Sequence, residues 1–365
     1  NNMRTELLIF VAVSLIFGGF VISQVSLDSE TNFPKLTYYN SDITEDEFEN
    51  EFIDFITTYG KSYNLMGEYE NRYSIFKENY QKIKDHNVDE EIHGFTLGVN
   101  KFADLTIQEF KKNSLGLLSF PRTEDLLKSE LNSMKIQSAL EDLPESVDWR
   151  ESGIHVNPVK EQGTCGSCWA FSTIGSIESA FAIKTGSLPA LSEQQLVHCS
   201  KGFGNGGCSG GFMEYAYKYA EKYPLCTEEE YPYEGKDSKA CEHSKCNSSL
   251  YKLQGFEDIE SNSKLSLYKT LNQQPVSIGV CAGNMAWQFY KKGVMKKFCG
   301  DCLDHGVVTV GYGVDKKKGD YIIVRNSWGE KWGEQGYLRI SSKDETGKGT
   351  CGIYQLPSVP IVEAQ

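Results

Sequence analysis

The chain has 365 residues, with 50 acidic side chains, 37 basic ones and a formal charge of −13. That length exceeds one small core and allows two domains or more. The acidic balance argues against a nucleic-acid partner, which needs a basic face.

At the N-terminus, Met3 and Arg4 precede an almost wholly apolar run, Leu7 to Ile22. Val21 and Ser23 fit cleavage before Gln24, so 1–23 reads as a signal peptide. Ser14, Gly18 and Gly19 interrupt the run. This favours a cleaved signal over an anchor and predicts no stable membrane association afterwards. Residues 42–113 are charged and helical in pattern. Phe48, Phe52 and Phe55 recur at helical spacing, as do Tyr69, Tyr73, Phe76, Tyr80 and Ile83. Residues 114–142 are polar and aperiodic, as in an exposed linker open to proteolysis.

From Leu143 the texture changes. Cys168 to Lys184 reads as a buried helix with Ala170, Ile174, Ile177 and Phe181 on one stripe and Gly186 as terminator. Strands are expected at Val276–Val280, Val307–Val314, Tyr321–Val324 and Tyr337–Ile340. Helices first and antiparallel strands later predict an α+β protein with two lobes and a cleft between them. The 11 cysteines all fall at or after Cys165, and an odd count leaves at least one unpaired. Asn247-Ser248-Ser249 is a glycosylation sequon and, with the cysteines, fits a secretory route.

Gln162-Gly-Thr-Cys165-Gly-Ser-Cys168-Trp169 carries the chemistry. A thiol at a helix N-terminus is favoured as thiolate by the helix dipole, and a nearby imidazolium lowers its pKa further. The Cys-x-x-Cys spacing also fits a thiol–disulfide oxidoreductase, but no strand precedes it and nine other cysteines crowd the region. His305 stands at the entry to an apolar strand, where it can serve as a rigid base. His86, His93, His155, His198 and His243 read as surface or structural residues. Asn326, in Asn326-Ser327-Trp328-Gly329, can accept the imidazole N–H and fix its tautomer, with Trp328 shielding that bond.

Cys165-Gly-Ser-Cys168-Trp169, with His305 and Asn326 far downstream, resembles the papain family of cysteine proteases, in particular its cathepsin L branch. The resemblance extends from about Phe48 to near the end of the chain. Glu68, Arg72, Phe76, Asn79, Ile83 and Asn87 fit the family's ERFNIN prosegment pattern. Gly98, Asn100, Phe102 and Asp104 fit its second prosegment motif. Leu143 to Arg150 resembles the start of a mature enzyme. The resemblance implies a papain-like two-lobed fold, with a helical left lobe and an antiparallel, β-barrel-like right lobe over 143–365, behind a small inhibitory helical prodomain.

By the same resemblance Cys168 is the nucleophile, His305 the general base and acid, and Asn326 the orienter. Gln162 is the oxyanion donor beside the Cys168 amide. Phe212, Met213, Gly279, Leu303 and Leu356 line the pocket for the residue two before the cut. Gly210 and Gly211 offer backbone bonds to substrate, and Trp328 flanks the cleft. Leu356 replaces the small residue usual in cathepsin L, so Leu or Val is expected there over Phe or Trp. Implied disulfides are Cys165–Cys208, Cys199–Cys241 and Cys299–Cys351. Cys226, Cys246, Cys281 and Cys302 remain, either as the pairs 226–246 and 281–302 or as buried thiols. No metal or cofactor is expected. Expected partners are polypeptide substrates, the chain's own propeptide and cystatin-type inhibitors. The expected enzyme is a monomeric endopeptidase, activated by acid, in a lysosome or vacuole or outside the cell. A non-catalytic binder on the same fold is the other reading, disfavoured by the intact Gln162, Cys168, His305 and Asn326.

Overall fold

In a computed structural model the described residues are 25–26, 35–36, 43–118, 142–237, 240–242, 244, 246, 250–344 and 347–363. The signal peptide reading, Asn247, His243 and residues 119–141 of the expected linker thus lie outside the described residues. Strands β1 (Val25–Ser26) and β2 (Lys35–Leu36) form a two-stranded ladder in a unit of its own.

The remainder begins with helix α1 (Glu45–Tyr59). Thr44 caps it by accepting the Glu47 N–H, and Gly60 ends it at φ 61°. Helix α2 (Met66–Val88) packs across α1. Phe52 and Phe55 meet Phe76 at ring distances of 5.1 and 5.2 Å. Tyr69, expected on the apolar face, is exposed and packs edge-on against Phe52 and Tyr63. A one-turn helix α3 (Glu90–His93) leads to strand β3 (Phe95–Leu97), and helix α4 (Ile107–Ser114) follows with a Thr106–Glu109 capping box.

In the second part, β4 (Val147–Asp148) precedes helix α5 (Cys168–Thr185), with Gly186 in the left-handed conformation after it. Helix α5 is buried on every face from Cys168 to Ala182 rather than along one stripe, because β6, β8 and α7 enclose it. Helices α6 (Glu193–Cys199) and α7 (Met213–Lys222) complete this lobe. The other lobe carries β5 (Gly255–Asp258), α8 (Lys264–Leu271), β6 (Val276–Val280), α9 (Met285–Gln288), β7 (Tyr290–Met295), β8 (His305–Asp315), β9 (Gly319–Arg325), β10 (Tyr337–Ser341) and β11 (Ser358–Ile361). The strand path is β3-β7-β10-β9-β8-β6-β11-β5, with β4 beside β8. It is an open path rather than a closed barrel, and β7 and β10 run parallel. Strand β3 extends the sheet at its edge, antiparallel to β7, with Phe95 opposite Gly293.

Five disulfides join Cys165–Cys208, Cys199–Cys241, Cys226–Cys246, Cys281–Cys302 and Cys299–Cys351. Cys226, Cys246, Cys281 and Cys302 are therefore not buried thiols, and Cys168 is the free cysteine. The Cα atoms of Cys281 and Cys302 are 4.7 Å apart because Val280 pairs with His305 across β6 and β8.

Candidate active site

Cys168 is the first residue of α5 and fully buried. The Gly306 N–H donates to its Sγ at 3.4 Å, which brings the start of β8 against the thiol. His305, next in chain to Gly306, places Nε2 2.8 Å from Asn326 Oδ1. That bond leaves Nδ1 as the other ring nitrogen, buried and without a hydrogen-bond partner. Trp328 stacks on the imidazole at 4.7 Å, covering the His305–Asn326 bond.

Gln162 is held from two sides. Its N–H donates to the Ser327 carbonyl at 2.9 Å and its Oε1 accepts from Ser327 Oγ at 2.6 Å. Just before it, Lys160 pairs with the buried Glu178 of α5 and Glu193 of α6, at 3.0 and 2.7 Å, which fixes the backbone leading to Gln162. Gln162 Nε2 then donates to the carbonyls of Ser114 at 3.1 Å and Cys165 at 2.9 Å.

Ser114 belongs to the stretch expected to be an exposed linker. Residues 114–118 instead run through the cleft, since Leu115 and Leu117 find apolar cover there. Gly116 lies close to Cys168, where its N–H lowers the thiol's pKa while donating to the Asp304 carbonyl at 3.2 Å. A Cβ on Gly116 would collide with the Gly166 carbonyl. Leu117 sits beside Gly279 and packs into the cluster holding Phe212, Met213, Leu303 and Leu356. Gly211 donates to the Gly116 carbonyl at 2.8 Å and accepts from Leu118 at 3.3 Å, a parallel bridge. Gly210 lies against the same segment: a Cβ there would meet the Gly116 carbonyl at 2.7 Å. Sequence reasoning missed residues 114–118. Their signal was the uncharged run Leu115-Gly-Leu-Leu118 inside a polar segment.

Burial governs the electrostatics of this closed state. It pushes the Cys168 thiol up to about 12, against the lowering effect of the Gly306, Trp169 and Gly116 N–H groups. It pushes His305 down to about 4, against the Asn326 bond. Burial thus biases both groups toward their neutral forms. Asp304, beside His305, is raised by burial while accepting from the Ala282 and Gly283 N–H groups.

The motif residues of the first helical part hold one another and the second part. Asn79 donates to the Ala103 and Leu105 carbonyls, Asn87 exchanges two bonds with Leu97, and Arg72 reaches the Asp104 carbonyl and Glu109. Phe76 and Ile83 are buried, while Glu68 is exposed. Asp104 accepts from Lys61 at 2.7 Å and Tyr63 at 2.9 Å. A Cβ on Gly98 would press on Lys291. Asn100 donates to the Gln288 carbonyl at 2.7 Å, and Phe102 and Phe110 meet Trp328 edge-on at 5.4 and 5.2 Å. His86 and His198 are buried and hydrogen-bonded; the His86 and His93 rings meet at a tilt, 4.2 Å apart, and both lie edge-on to Phe298.

Residues 143–361 match the family described as papain family cysteine protease, and residues 52–110 match the cathepsin propeptide inhibitor domain (I29). The chain belongs to the papain family of cysteine proteases. It is 39% identical over 371 residues to germination-specific cysteine protease 1 of Arabidopsis thaliana, covering 99% of this chain and 95% of that one. It is 45% identical over 298 residues to the oryzain beta chain of Oryza sativa subsp. japonica, covering 81% of this chain and 62% of that one. Among solved structures, the recombinant stem bromelain precursor matches with a TM-score of 0.77 at 33% identity, covering 87% of this chain and 99% of that one. In papain-family terms, residues 52–110 are the inhibitory prosegment of a zymogen, and the structure has that prosegment in place on the cleft.

Proposed function

We propose that the protein is an endopeptidase that forms a thioester at Cys168 and is held latent by its own prosegment until acid releases it. The observation that carries this reading is the carbonyl of Ser114 on the Gln162 amide, beside Cys168 and the His305–Asn326 pair. A peptide carbonyl already rests on the donor that an oxyanion needs. Once the prosegment leaves, water reaches His305 and Cys168, and the ion pair of thiolate and imidazolium can form. Cys168 attacks the substrate carbonyl, with the oxyanion held by Gln162 and the Cys168 N–H. His305 protonates the departing amine, then takes a proton from the water that cleaves the thioester.

The prosegment escapes this fate through its direction. From Ser114 at Gln162, past Gly116 at the thiol, to Leu117 in the apolar pocket, it runs parallel to Gly211. A substrate with its acyl half in the Leu117 pocket runs the other way, so the prosegment carbonyls are turned from attack. We take 42–113 with its extension to Leu118 as the prosegment and 143–365 as the peptidase domain. The five disulfides fit passage through the secretory pathway toward a lysosome, vacuole or the exterior. Among the described residues no helix is long and apolar enough to cross a membrane. General protein degradation, a monomeric state and inhibition by cystatin-type proteins complete the reading. The test is acid treatment of the full chain, followed by internal cleavage of peptides. A thiol alkylator should block it, and release of terminal dipeptides alone would contradict it.

A further inference from the structure

The prosegment marks both sides of the Cys168 thiol. On one side Leu117 fills the apolar pocket and Leu118 reaches Gly211. On the other, Phe102 and Phe110 cover Trp328, and Lys101 extends its ammonium to the Glu161 carboxylate. Gly116 lies between them, at the thiol. If the Leu117 side receives the acyl half of a substrate, the Glu161 and Trp328 side receives the leaving half.

Resting on the protease reading above, we propose that Glu161 selects a basic residue at the first or second position of the leaving fragment. Glu161 directly precedes Gln162, and its backbone bridges Trp328. Its Oε1 accepts the Gly163 N–H at 3.0 Å, which holds the carboxylate in place, while Oε2 receives Lys101. The pair borders an open cavity of about 120 Å³. Trp328, Gly329, Glu330, Lys331 and Trp332 line it from the enzyme, and Tyr59, Asn100 and Lys101 from the prosegment. The enzyme's own cation there, Lys331, is turned to the prosegment: its Nζ donates to the Thr58 carbonyl at 3.5 Å and lies 6.0 Å from the Tyr59 ring centre. Glu330 brings a second carboxylate to the same wall. Departure of the prosegment takes Lys101 from Glu161 and leaves a fixed carboxylate on the wall that Trp328 and Trp332 also line. That combination suits the aliphatic stem and charged head of Lys or Arg. Lys101 itself is held there against burial, which lowers its pKa, by the Glu161 charge.

The test uses the acid-activated enzyme and peptides that share one acyl half with Leu for the pocket. Only the first two residues of the leaving half vary, as Lys, Ala or Glu. An exposed pair of this kind predicts a preference in kcat/KM for Lys over Glu of roughly two- to fivefold. The preference should shrink at high salt, flatten in Glu161→Gln and reverse in Glu161→Lys. Each ratio compares two substrates on one preparation, so it does not depend on how much variant folds. A Lys-to-Glu ratio of one or less in the parent enzyme at both positions overturns the proposal, as does a ratio that Glu161→Gln leaves unaltered. A substrate with a fluorophore in place of the leaving peptide separates the two readings. If it is not cleaved, the protease reading fails and this one with it. If it is cleaved and the varied peptides show no Lys preference, only the Glu161 inference falls.

Discussion

Gln162 Nε2 donates to the Ser114 carbonyl at 3.1 Å, so the side chain proposed to hold a substrate's oxyanion is engaged by the chain itself. The backbone can come this close because Gly116, two residues on, has no side chain to strike the Gly166 carbonyl.

Gly116→Val should therefore weaken latency. Overpacking of this kind costs about 1–3 kcal/mol, which is roughly five- to hundredfold in the closed-to-open ratio. The check is peptidase activity of the unprocessed zymogen at neutral pH, per mole of reactive thiol. Latency equal to the parent's would show that the segment does not depend on this close approach.

Latency should fail on the acid side. His305 is pushed down to about 4 by burial. His86 is pushed down to about 4 by burial first and by the His93 ring second, opposed by the Phe95 carbonyl and Asp89. A histidine with a depressed pKa supports the closed form while neutral. That support is present above the ordinary value of about 6.5 and is lost as pH falls toward about 4, because the opened form takes up protons first. His86→Gln keeps a donor for the Phe95 carbonyl, 3.2 Å from the imidazole, but cannot titrate. It should move the midpoint of processing to lower pH, read from the rate of prosegment loss across a pH series. A midpoint unchanged or raised would remove His86 from the account.

The pocket holding Leu117 should set the main preference. Leu356 approaches within 3.3 Å of the position a Cβ on Gly279 would take, so the pocket is shallow. Leu or Val two residues before the cut should be preferred over Phe or Trp. Leu356→Ala should shift the preference toward Phe by about tenfold in kcat/KM. A peptide-library profile reads both, and a preference for Arg at that position would contradict the assignment of the pocket.

Much of this was legible in the sequence because local chemistry and spacing agree. The Cys168 helix starts where a thiol before Trp169 and a buried run require it, and Gly186 ends it. Strand β6 spans the expected Val276–Val280, and β8 begins at His305 because Val280 pairs with it. Three things depended on contacts distant in sequence. The cleft-filling run at Leu115–Leu118 looked like linker because its partners, Phe212, Met213 and Leu356, lie far along the chain. The parallel β7–β10 pair sets Val294 opposite Arg339, far along the chain, and neither strand's own pattern marks it. His86 and His93 looked incidental until β3 brought them under Phe298.

The central claim is that Cys168 is the nucleophile of a peptide-cleaving enzyme. The most direct measurement compares acid-activated parent chain with a Cys168→Ala chain freed of its prosegment by an added protease, then purified away from it, on one internally quenched peptide with Leu two residues before the cut. Circular dichroism should show the same fold for both. The account predicts turnover by the parent and none above background for Cys168→Ala. Appreciable turnover by the purified Cys168→Ala chain would contradict it.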